Sequence, residues 1–159
     1  MLSEIKDGFE VLRDILSFLE KRKSDKQSVE VITSLRKIYF EPKTIALLEA
    51  ASNCDQAEFP EILRKVKLKL LDCRYEVEES LGILEREGLN EELSLRSKRI
   101  YLYIRSSKVN LRRKLFEIAL HCENSSAKQK LSKLLTEIIP LNDRIEEIEE
   151  KILEDMKRE

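Results

Sequence analysis

Residues 126–158 read SAKQKLSKLLTEIIPLNDRIEEIEEKILEDMKR, and this stretch decides the fold class. Leu131, Leu134, Ile138, Leu141, Ile145, Ile148 and Ile152 recur at alternating steps of three and four. On a helix of 3.6 residues per turn, that spacing lines them along one face. Leu135 and Ile139 widen the stripe in the first half, whereas the second half narrows to a bare seam that Met156 extends. A wide stripe faces a bundle interior, and a narrow one needs only one partner helix. The narrow half therefore has two readings. Ile145, Ile148, Ile152 and Met156 pair with another chain in a coiled-coil contact, or helix 1 or another internal helix fills the seam. Pro140 lies inside this helix and is expected to kink it, because proline removes the backbone bond to Thr136.

The same spacing runs through the rest of the chain. A helix is expected near 3–22, where Leu2, Ile5, Phe9, Leu12, Leu16 and Leu19 form a stripe that Ile15 and Phe18 widen. A second covers about 26–40 and ends before Pro42, since a residue preceding proline avoids the helical region. A short third helix follows at about 43–52. A long helix at about 58–87 keeps Phe59, Ile62, Leu63, Val66, Leu70, Cys73, Val77, Leu81 and Leu84 on one face, opens with Pro60 and stops at Gly88. Asn90 caps a helix of about 90–122, and Asn124-Ser125-Ser126 separates it from the last. The expected fold is an all-α, elongated antiparallel bundle of about six helices in one domain. Short turns make the three long helices neighbours, a three-helix core over 58–158 on which the shorter helices of 1–53 pack.

Composition agrees. The chain has 159 residues, 42% of them apolar and 38% charged, with only 3 Gly and 3 Pro. That suits one helical domain and excludes a turn-rich all-β fold. Thirty basic and 31 acidic residues leave a net charge of −1, which excludes a globally basic nucleic-acid binder but permits a local patch. Three cysteines without C-x-x-C spacing suggest reduced thiols, neither a disulfide framework nor a zinc site. The first residues carry acids where a secretory signal carries bases, and no apolar run is long enough to span a bilayer, so a cytoplasmic location is expected and a membrane partner is not.

Two further features bear on function. Lys98, Arg105 and Arg112 recur every seven residues on the helix of 90–122, within about 40° of one another at 100° per residue. Lys108 and Arg113 flank the row, and Tyr101 lies beside it. Cations at that spacing suit successive phosphates of a nucleic acid, with Tyr101 stacking on a base. Alternatively the row is a solvated face, or pairs with acids of the same chain, Glu76, Glu78, Glu79, Glu85 and Glu87 on the helix of 58–87 or those of the Glu-rich last helix. His121 follows Glu117 by four residues, a spacing that allows a shared metal, but it is the sole histidine, and no arginine stands at 114, 115 or 116 to complete an Arg-x(4–6)-His ribonuclease signature. A helix-end histidine near the C-terminal dipole is the simpler reading. No glycine-rich phosphate loop or G-x-S-x-G motif is present. The sequence thus favours a non-catalytic interaction module, an adaptor or small subunit with no cofactor, partnering another protein or its own copy. A nucleic-acid-binding subunit is the alternative.

Overall fold

A computed structural model describes the backbone of residues 2–39, 42–105 and 111–158, and side chains from residue 8 onward within these ranges except at 39. Among the described residues the chain forms helices and no strand: α1 (Leu2–Lys21), α2 (Lys26–Tyr39), α3 (Pro42–Asn53), α4 (Phe59–Asp72), α5 (Arg74–Glu85), α6 (Glu91–Arg105), α7 (Leu111–Leu120) and α8 (Ala127–Lys157). The all-α bundle expected from the spacing is what the chain adopts. The segments are more numerous than expected because the helix of 58–87 is interrupted at Cys73, and that of 90–122 contains 106–110, outside the described residues.

α8 is the spine. In contact order α8, α1, α6, α5 and α2 close one ring of helices, and α8, α3, α4 and α7 close another. Side-chain bonds give the directions. Arg13 binds Glu137, Arg144 binds Ser17 and Ser24 binds Asp155, so α1 runs parallel to α8. Arg36 reaches back to Glu146 and Glu149, and Ser52 meets Ser132, so α2 and α3 run antiparallel to it. α1 touches both α6 and α8 and stands between them. The first 53 residues are therefore part of the core, not a layer added to a 58–158 bundle. The reason lies in the wide stripe of α1: Phe9, Leu12, Ile15, Leu16 and Leu19 are all buried, and a face that broad must be covered on more than one side. One apolar cluster runs from Phe9 to Ile152 and joins both rings.

The helix ends follow local chemistry. Asn90 accepts the Glu92 amide at 3.2 Å, as a capping residue should. Gly88 adopts φ +90°, a conformation that favours glycine, and Gln27 clamps this turn by donating to the Gly88 carbonyl and accepting from the Asn90 amide. α8 runs unbroken through Pro140, the position of the expected kink. Pro140 and Thr136 are both exposed, so the carbonyl that proline leaves without an amide lies on the solvent side.

Asp25 opens α2. Its carboxylate accepts the Ser28 amide and the Arg22 guanidinium, each at 2.8 Å. Burial pushes its pKa up, but the bonds from Arg22 and Ser28 outweigh that and hold it below the ordinary carboxylate value. A depressed carboxyl stabilises the fold above its unfolded-state pKa of roughly 4, and that contribution is lost as pH falls through the lower folded value. Asp25→Ala should cost about 1 kcal/mol at pH 7, the usual loss for an N-cap, and almost nothing at pH 2. Urea denaturation at both pH values checks this. An equal loss at both would show that the carboxylate's charge is not what matters.

Candidate interaction surface

The C-terminal seam is closed within the chain. Ile145, Ile148 and Ile152 are buried, and Met156 is half-buried against the same core. α1 and α2 flank this half of α8, held by Arg144–Glu20, Arg36–Glu146 and Arg36–Glu149 ion pairs. Of the two readings of the narrow stripe, the internal one describes the structure: the chain itself covers those three isoleucines. The stripe is narrow because α8's flanks here are lined by charged side chains that pair with α1 and α2, not because the seam lacks a neighbour.

The basic row of α6 and α7 is largely engaged by the chain itself. Arg105 makes a bidentate pair with Glu78 of α5, at 3.1 and 2.7 Å, while its Nε donates to Tyr101 Oη at 3.3 Å. That pairing holds the Glu78 carboxyl below its ordinary pKa. Arg112 donates to the Leu70 carbonyl at 2.5 Å. Burial lowers the pKa of its guanidinium, which the neighbouring Cys73 offsets in part. Arg113 pairs with Glu117. Lys98 is exposed, and Lys108 falls outside the described residues. Seven-residue spacing puts these cations on one side of a straight helix, but the acids and the carbonyl that meet them belong largely to α4 and α5, which the spacing cannot place.

His121 is exposed and lines a cleft of about 200 Å³ with Lys114, Glu117, Asn124, Ser126 and Lys130. Among the described residues no group of three His, Cys, Asp or Glu side chains is placed to hold a metal ion, and none of the three cysteines is in a disulfide. No helix among them is long and apolar enough to cross a membrane.

What the sequence reading missed is on the outer side of α4 and α7. Leu68, Leu71 and Tyr75 are 50%, 43% and 72% exposed and follow one another at steps of three and four along α4 into α5. Two contacts fix α7 antiparallel beside this row: Lys67 sits over the Phe116 ring at 5.7 Å, and Arg112 meets Leu70. Exposed Leu120 lies on that neighbouring helix. The spacing signal is present in the sequence, but a helix with apolar residues on two faces reads only as broadly buried until the fold shows which face is covered. Leu95 and Leu102 of α6 are also exposed, yet stand two turns apart, with Lys98 and Arg99 between them. No family model, no curated protein and no solved structure matches the chain.

Proposed function

We propose that this chain is a non-catalytic helical interaction module, an adaptor or small subunit of a larger assembly, acting through the outer face of α4 and α7. One observation carries the reading: Leu68, Leu71 and Tyr75 stand in line and exposed, with Leu120 on the adjacent helix. Scattered exposed leucines need no explanation, but contiguous ones mark a surface that a partner covers. The basic row supports a nucleic-acid role poorly, since Arg105, Arg112 and Arg113 already meet partners within the chain.

The test is the Leu68→Glu, Leu71→Glu double variant, purified from its native source under the same tag as the wild type. Both positions are exposed, so each change should alter stability by no more than about 0.5 kcal/mol. Proteins that accompany the wild type should be lost from the variant while the two melt together. If the variant keeps the same companions, the α4–α7 face is not the working surface.

A further inference from the structure

We infer that the face of α4 and α7 receives an acidic amphipathic helix of a partner protein; this rests on the interaction-module reading above. The shape comes first. Among the described residues α4 packs mainly on α3, α5 and α7, and α7 on α4 and α8, and Leu68, Leu71 and Leu120 on the outward side of the α4–α7 pair stay exposed. Two antiparallel helices side by side form a shallow groove, and a third helix laid along it is a common way to cover apolar residues so placed. With Lys67 opposite Phe116 and Leu70 opposite Arg112, Leu120 lies toward the Arg64 end and Leu71 toward the Arg113 end. Leu68, Leu71, Phe116 and Leu120 then supply apolar contacts over about two turns, enough for leucines of a partner at i, i+3 or i+4, and i+7.

Charge selects the partner's sign. α4 carries Arg64, Lys65, Lys67 and Lys69 against Glu61 and Asp72, and α7 adds Arg113 beside Glu117, its Arg112 being taken up by the Leu70 carbonyl and its Lys114 lining the His121 cleft. Glu61 pairs with Arg64 and Glu117 with Arg113, so two of these three acids are already matched and the excess is positive. The rest of the molecule is opposite in sign along α5 and the second half of α8, where glutamates dominate. A chain of net charge −1 has thus gathered cations around its exposed apolar row. A cationic rim favours an acidic partner and rejects a basic one, setting orientation and association rate as well as affinity.

The probe is a pair of labelled 18-residue helical peptides with leucine at i, i+3, i+4, i+7 positions, flanked by glutamate in one and by lysine in the other. Fluorescence anisotropy against the full chain at about 50 mM and 300 mM salt reads binding. The glutamate peptide should bind at least ~10-fold more tightly than the lysine peptide, and lose about 10-fold between the two salts as screening shortens the Debye length. Leu68→Glu with Leu71→Glu should abolish binding. Lys65→Glu with Lys67→Glu should reverse the preference between peptides while the chain stays folded. Equal binding of both peptides, no binding of the glutamate peptide at low salt, or its displacement by a 20-nucleotide duplex would each overturn the inference. If the peptides fail but the leucine variant still loses its native companions, the acidic-helix inference falls and the interaction-module reading stands; if the companions remain too, both fall.

Discussion

Ile148→Asp should unfold the protein. Ile148 is buried in the seam between α8 and its neighbours, so the change removes a packed aliphatic side chain and puts a carboxylate where it finds no partner. Truncating such a residue costs about 2–5 kcal/mol, and an unpaired buried charge adds more. A loss of over ~4 kcal/mol is comparable to the whole stability of many domains, which is roughly 5–15 kcal/mol. Leu153→Asp, five residues on, is the control: Leu153 is 42% exposed and the change should cost no more than about 0.5 kcal/mol. Circular dichroism with thermal melting checks both. If Ile148→Asp keeps its helical signal and melting point while an oligomer falls apart in sedimentation, the seam is a contact between chains after all.

That seam shows how far the sequence carries. Period reveals which residues of a helix are buried: Leu131, Leu134, Ile138, Leu141, Ile145, Ile148 and Ile152 are all buried, and of the two that widen the stripe Leu135 is buried and Ile139 half-buried. Period does not reveal what buries them. The partner of α8's second half is α1 and α2, whose own stripes are legible, but the match between stripes is a tertiary fact. Arg36 bridging Glu146 and Glu149 could not be found from spacing, because the residues lie more than a hundred positions apart. The same limit hid the α4–α7 face. Leu68, Leu71 and Tyr75 differ from the buried Leu63, Val66 and Leu70 only in which side of the helix they occupy. The break at Cys73 was also hidden: Val77 still donates to Cys73 and Cys73 to Lys69, and no proline or glycine marks the place. By contrast the stop at Gly88 and the cap at Asn90 were legible, because there the residue type itself sets the backbone.

Arg112→Met should destabilise the fold by about 1–3 kcal/mol, whereas Arg105→Met should cost only about 0–1 kcal/mol. In sequence the two arginines are equivalent members of one row, seven residues apart. In the fold they differ. Arg105 makes its pair with Glu78 at the surface, where the two side chains are 46% and 57% exposed, so water replaces most of what either loses. Arg112 lies in the α4–α7 packing and donates to the Leu70 carbonyl just before the helix breaks at Cys73. In an unbroken helix that carbonyl would accept the amide four residues on. With α4 ending at Asp72, the guanidinium is a side-chain cap for the last turn. Methionine keeps the length and apolar stem of arginine but donates nothing, leaving the carbonyl short of that bond in a half-buried position. Lysine restores one cationic donor, so Arg112→Lys should recover part of the loss. At this chain length 1 kcal/mol moves the melting point by roughly 2–4 °C, so calorimetry on the three variants separates them. Equal melting points for Arg105→Met and Arg112→Met would show that the guanidinium does not cap α4, and that the α4–α5 break is held by packing around Cys73 alone.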